Sequence, residues 1–254
     1  MEKVSFSQGL IFRKSWDFMK KQGVTMTGLY LAFMVVSVIL SFISGKDITS
    51  GRYIIGSLLS VILSWGFGMG FSKLILNIFD GIEPEMNVFL SIWSRAWTYF
   101  KLLIVIWGVM IICGVIAFVI VDMTMDISSV ISGLISPIGY LVLGAFVVFL
   151  GWFLFRISFA GLIILDTDLG TMEALRRSWR ITKGHVWKLV FLSFLILGLN
   201  ILGFLAFIIG VFFTLVMSQF AYTIAYRVLW ALYQEKESLE IESAVEDNDI
   251  EPVL

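Results

Sequence analysis

From Leu189 to Tyr226 the chain runs for 38 residues without an Asp, Glu, Lys or Arg. No other feature limits the fold so tightly. As one helix rising about 1.5 Å per residue, the run would be nearly twice as long as the roughly 30 Å hydrocarbon core of a bilayer. It therefore predicts two helices with a turn between Gly203 and Gly210. Four more apolar runs are long enough to span: Val24 to Gly45, Tyr53 to Ser72, Leu102 to Val121, and one from near Leu134 to Phe155. Backbone polar groups in a bilayer must be satisfied within the segment, so such runs fold as helices. The expected fold class is an all-α integral membrane protein with six transmembrane helices.

Composition points the same way. Hydrophobic residues make up 59% of the chain and charged ones 15%, with a mean hydropathy of +0.96, whereas soluble domains lie near half apolar and a quarter charged. The net charge of −1 hides two opposite biases, because eight of the 19 acidic residues fall in the last twenty positions. Residues 1–234 read as the six-span membrane domain, and 235–254, "EKESLEIESAVEDNDIEPVL", as an acidic disordered tail that could meet a basic face or recruit a protein partner. Cys113 stands alone in an apolar run, which allows neither an internal disulfide nor a cysteine metal cage. The N-terminal stretch lacks a short apolar core with a small-residue cleavage site, so no cleaved signal is expected.

The bases set an orientation. With six spans, sixteen of the eighteen Lys and Arg fall on one side, leaving Lys46 and Arg52 on the other. The outer loop "DMTMDISSVISG" carries Asp122 and Asp126 and no base. The positive-inside rule then places both termini of this multi-pass protein in the cytoplasm.

Three segments repeat. "RKSWDFMKK" around Trp16, "SRAWTYFKL" around Trp97 and "RRSWRITKG" around Trp179 each carry a Lys four residues on, at Lys20, Lys101 and Lys183, with periods of 81 and 82. Two spans follow each copy. The chain thus reads as three repeats, about 5–80, 83–165 and 168–233, each an interfacial amphipathic helix plus a two-helix hairpin, related by an axis along the membrane normal.

In the third copy Met172, Leu175, Trp179, Thr182 and Val186 recur on one side of a helical wheel, with Arg176, Arg177, Arg180 and Lys183 on the flank. That is the pattern of a helix lying at the membrane surface, its apolar side in the acyl boundary and its bases at the headgroups. Gly184 is placed to break it before the next span. In the second copy Pro84 suits a first helical turn, with Met86, Phe89, Leu90, Trp93 and Trp97 along one face; in the first, Ser5 and Gln8 suit a capping box. Anionic lipid is the expected partner, through Arg176, Arg177, Arg180, Lys183 and Trp179; a nucleic-acid partner is not expected, since these bases adjoin apolar spans.

Catalytic constellations are sparse. His185 is the sole histidine, and neither a nucleophile elbow nor a phosphate-binding loop appears, so neither enzymatic activity nor a metal or cofactor is expected. Gly66 to Gly70, "GFGMG", with Ser57, Ser60 and Ser64, reads as a packing seam between helices. "DTD", Asp166 and Asp168, reads as a cap for the next helix together with Thr171, ahead of a cation or acid/base pair. Lys73, Arg156 and Arg227, at the ends of even-numbered spans, read as side chains snorkelling to headgroups, ahead of a transport site. On the sixth span Thr214, Ser218, Gln219, Tyr222 and Tyr226 share a polar side, and Asn200 lies mid-way along the fifth. Such groups join helices or line a wet cavity.

The stretch "EALRRSWRITKGHVWKLV", followed by a hairpin ending "AYRVLW", resembles the membrane domain that accompanies some glycerophosphodiester phosphodiesterases and its free-standing bacterial relatives, over about residues 150–232. The resemblance implies the anchor without the enzyme, because the catalytic barrel with its acids and histidines has no counterpart here. Mitochondrial carriers share an architecture of three two-span repeats, but the proline and acidic-then-basic motif of their odd helices is missing.

The sequence thus yields two readings. The first is a non-enzymatic polytopic inner-membrane protein with a basic, lipid-headgroup-binding cytoplasmic face and a structural or accessory role. The alternative is a transporter or channel for a small or lipidic solute, with a cavity built from Arg156, Asn200, Gln219 and Tyr222.

Overall fold

The computed structural model describes residues 6–45, 50–83, 85, 87–130 and 135–248. Among them every regular element is helical: α1 (Gln8–Ser44), α2 (Gly51–Phe79), α3 (Val88–Ser91), α4 (Trp93–Val130), α5 (Ile135–Ile157), α6 (Ala160–Asp166), α7 (Thr171–Ile181), α8 (Val186–Leu205) and α9 (Phe207–Asn248). Six stretches within these are long and apolar enough to cross a bilayer, the most hydrophobic being Trp93–Ile120. They expose many large apolar side chains, among them Val35, Ile39, Ile111, Ile112 and Phe118. A water-facing surface does not carry such continuous apolar bands. The protein is a polytopic, all-helical membrane protein. Lys3, Ser5, Lys46, Pro84 and Met86, used in the sequence reading, lie outside the described residues.

The chain divides into two compact units, one formed by residues up to Ser94 together with those from Trp187 onward, the other by Arg95–Val186. In the first, α1, α2 and α9 pack on one another. The buried stripe of α1 is Ile11, Ser15, Met19, Gly23 and Met26, a helical period that turns one side inward. Met19 and Met26 meet Phe71, Leu74 and Ile75 of α2 and Val216, Met217 and Phe220 of α9. Among hydrocarbon tails such contacts hold helices by close fit, since lipid is as apolar as the side chains. Rings supply much of it: Phe18 meets Phe79 edge-on at 4.3 Å, and Phe33 stacks on Phe67 at 4.0 Å.

The 38-residue run breaks at Ala206, inside the expected turn. Two glycines allow the return. A Cβ on Gly203 would lie 2.2 Å from Thr214 Oγ1 and 2.9 Å from the Gly210 carbonyl, and one on Gly210 would lie 2.6 Å from the Gly203 carbonyl. Further from the turn, Asn200 Nδ2 donates to Ser218 Oγ at 3.0 Å.

The expected seam is placed differently along α2. Gly56 and Gly70 are the buried glycines, a Cβ on Gly70 meeting the Phe89 ring at 2.2 Å, while Ser64 is exposed and Ser57 and Ser60 bond to their own helix.

Three boundaries also depart from expectation. The basic segments around Trp16 and Trp97 are not separate helices: α1 and α4 run through them into the spans. Gly23 is the one glycine between Trp16 and the first span and costs only about 1 kcal/mol mid-helix, and no Gly or Pro follows Trp97 before the third span. At the third copy Gly184 adopts φ 83, and α7 ends. Helix α4 continues through Asp122 to Val130, into the expected outer loop. Likewise α9 continues to Asn248, so 235–248 is helical where disorder was expected. No Gly or Pro interrupts it, and Lys236 pairs with Glu240 one turn on. Residues 249–254 of that tail lie outside the described residues.

Candidate functional site

The densest chemistry in the Arg95–Val186 unit lies where α5, α6 and α7 meet. Helix α7 packs on both α5 and α6. Its buried stripe is Ala174, Ser178 and Ile181, extended by Thr182. This differs from the expected apolar side, being rotated about one residue. Small side chains face the protein so that the backbones approach closely. Thr182 and Val186 are buried in the protein, and Met172 is 64% exposed.

Arg156 is the hub of this packing. Its guanidinium lies 4.4 Å from the Trp179 ring and 5.3 Å from the Trp152 ring, and the two indoles meet edge-on at 5.4 Å. Nη1 donates to the Trp179 carbonyl at 3.1 Å, capping the last turn of α7. In return the Arg156 carbonyl accepts from Ser178 Oγ at 2.9 Å and Thr182 Oγ1 at 3.3 Å. Arg156 is only 8% exposed and its Nε is buried without a partner. Snorkelling to headgroups therefore does not describe it. Nor does it describe Arg227, whose Nη2 reaches both carboxylate oxygens of Asp80 at 2.8 and 2.7 Å. Lys73 is half-buried.

Trp179 also lines a cavity of about 340 Å³, within the size range of small-ligand sites. Its walls are Val105, Ile106 and Val109 of α4, Phe153 and Ile157 of α5, and Leu175 of α7; Arg176, Trp179 and Arg180 complete it. The sequence-predicted lipid residues are thus divided. Arg176, Trp179 and Arg180 share one apolar groove; Arg177 is half-buried with a contact of its own, and Lys183 lies beyond the end of α7, exposed. Lysines overlie the indoles in the first two copies, Lys20 at 5.9 Å from Trp16 and Lys101 at 5.6 Å from Trp97. On Trp179 the cation is Arg156 instead.

Among the described residues no carboxylate pairs with Arg156, Arg176 or Arg180. Of the nearby acids, Asp168 is engaged elsewhere, and Glu173, in the first turn of α7, is exposed. Arg95 donates to the Ile164 carbonyl at 3.0 Å and to the Thr167 carbonyl, closing the end of α6, and pairs with Asp168. The N-cap of α7 is Gly170 without a side-chain bond, and Thr171 Oγ1 donates to the Thr98 carbonyl at 2.9 Å. Capping of α7 by Asp166, Asp168 and Thr171 is thereby corrected: Asp168 and Thr171 tie the α6–α7 connection to α4, and Asp166 is the last residue of α6.

The other candidate cavity residues belong to the first unit. Asn200 Nδ2 donates to Ser218 Oγ and to the carbonyl of Ile196, while its Oδ1 is buried without a partner among the described residues. Gln219 is exposed, Tyr222 half-buried, and Thr214 faces Gly203. On the polar side of α9, Ser218 joins α8 through Asn200, and none of these residues lines the groove.

Sequence reasoning overlooked Trp152, Ser178 and Arg95. Trp152 had a signal, since it stands four residues before Arg156 and shares its helix side. Ser178, between Ala174 and Ile181, marks a small-residue stripe that the neighbouring cations concealed. Arg95 had no local signal, because its partners are 69 and more residues away.

Fold and groove define a polytopic helical membrane protein bearing an apolar groove lined by arginine and tryptophan. No family model, curated protein or solved structure matches the chain.

Proposed function

We propose that the protein is a non-enzymatic multi-pass protein of the bacterial inner membrane, with both termini cytoplasmic, that binds anionic lipid through its basic face and has a structural or accessory role. The observation that carries this reading is the convergence of Arg176, Arg180 and Trp179 on one groove with aliphatic walls. Arginine forks match phosphate oxygens, an indole suits the headgroup level, and the walls suit an acyl chain. Each cation near an anionic leaflet contributes on the order of 1 kcal/mol.

The repeat reading draws support from the lysine-over-indole geometry at Trp16 and Trp97, and from α7 with its end at Gly184. In this reading residues 150–232 act as an anchoring domain of the kind that accompanies glycerophosphodiester phosphodiesterases, working here without a catalytic partner in the same stretch. In the same reading the acidic end of α9 recruits a protein partner.

The test is native mass spectrometry of the protein extracted gently from its own membrane. The wild type should retain anionic phospholipid. Arg176→Gln with Arg180→Gln should weaken retention about tenfold or more, and Gln219→Ala should leave it unchanged. A retained non-lipid solute, lost in Gln219→Ala and indifferent to the arginines, would move the function to transport.

A further inference from the structure

Anionic lipids differ in how much charge the phosphate carries. We infer that the groove holds one phospholipid with a phosphomonoester headgroup, its phosphate between Arg176 and Arg180 and an acyl chain along Val105, Val109 and Leu175. The inference rests on the lipid reading and narrows it to a headgroup class.

Charge is the first argument. Arg176 and Arg180 stand one helical turn apart on the same wall, so their guanidinium groups can converge on one ligand. A third cation, Arg156, lies 4.4 Å from the Trp179 ring, buried, with its Nε unpartnered. None of the three has a carboxylate partner among the described residues. A phosphodiester headgroup brings one negative charge to this place. A phosphomonoester brings about −1.5 to −2 near neutral pH and three acceptor oxygens. Two forked donors use those oxygens fully, whereas a diester offers two free oxygens. The buried third charge favours the more highly charged anion further, because screening inside the protein is weak.

Shape is the second argument. Six of the nine lining residues are aliphatic or phenyl side chains, and both arginines come from α7 alone. A free phosphate would leave those walls unfilled. An amphiphile uses both halves of the cavity, its chain displacing nothing polar.

The full-length protein in detergent is titrated with dioctanoyl phosphatidic acid, dioctanoyl phosphatidylglycerol and inorganic phosphate, and bound species are counted by native mass spectrometry. Phosphatidic acid should bind about tenfold more tightly than phosphatidylglycerol, and Arg176→Gln with Arg180→Gln should erase that difference. Both arginines are exposed on α7, so elution as a single species on size exclusion verifies the variant's fold. Equal binding of the two lipids, lost together in the double variant, overturns the phosphomonoester assignment and leaves the lipid reading standing. Binding of neither above a zwitterionic lipid overturns both. Inorganic phosphate that competes at the same concentration as phosphatidic acid identifies an anion site without a chain and also overturns the inference.

Discussion

Arg156→Ala protein should lose about 3.5 kcal/mol of stability, read as a lower melting temperature by fluorescence-detected size exclusion in detergent. The estimate sums two contributions. A desolvated cation on an aromatic face contributes about 2 kcal/mol, and here one guanidinium serves Trp152 and Trp179 together. A hydrogen bond from a charged donor contributes about 1.5 kcal/mol or more, and Nη1 makes one to the Trp179 carbonyl. Alanine removes both and leaves a gap between the indoles, although Ser178 and Thr182 keep their bonds to the residue 156 carbonyl. Arg156→Lys separates charge from shape. A lysine retains the cation but lacks the planar fork, so this variant should recover roughly half of the loss. A wild-type melting temperature in Arg156→Ala would show that the α5–α7 junction is held by its small-residue stripe alone.

Gly203→Val should be comparably damaging, for a reason unrelated to charge. The added Cβ would sit 2.2 Å from Thr214 Oγ1, 2.7 Å from its Cγ2 and 2.9 Å from the Gly210 carbonyl. Rotating Thr214 relieves the first two contacts. The third is backbone, so α8 and α9 must separate, and the bond from Asn200 to Ser218 lengthens with them. Overpacking of this kind costs about 3 kcal/mol, and the expected readout is loss of the monodisperse elution peak. Gly198→Ala in the same helix is the internal control. Nothing lies within 4 Å of its new Cβ, so helix propensity should raise stability by up to about 1 kcal/mol. Equal behaviour of the two variants would rule out close approach at Gly203.

These two sites show what was legible in the sequence. The span count, the turn in the charge-free run and the break at Gly184 were readable, because each follows from length, charge and a glycine that permits a left-handed residue. Helix limits at the membrane ends were not. Continuity from Trp16 into the first span, and from Trp97 into the third, depends on the lack of a breaker, a weaker signal than its presence. The acidic stretch beyond Tyr233 reads as disordered by charge, yet it inherits a helix already nucleated by α9, which removes the usual cost of starting one.

At the site, Arg176, Arg180 and Trp179 were recognisable as a basic, tryptophan-bearing surface. Their role in lining a groove was not, since Val105, Ile106 and Val109 are some seventy residues distant and look like any lipid-facing apolar turn. Arg156 and Arg227 were misjudged for a similar reason. Position at a span's end suggests snorkelling, whereas the Trp179 ring beside Arg156 and the Asp80 that holds Arg227 are supplied by tertiary packing. Asp168 was assigned to a cap by its place before α7, and the long-range pair with Arg95 competes with that local role.

The most direct test of the central claim is a cryo-EM map of the protein in nanodiscs containing anionic phospholipid. The account predicts elongated lipid density along Val109 and Leu175, ending in a phosphate peak within hydrogen-bonding distance of Arg176 and Arg180, and lost in the double Gln variant. A groove closed by its own side chains, or one in which both arginines turn to solvent beside ordered lipid elsewhere, would contradict it.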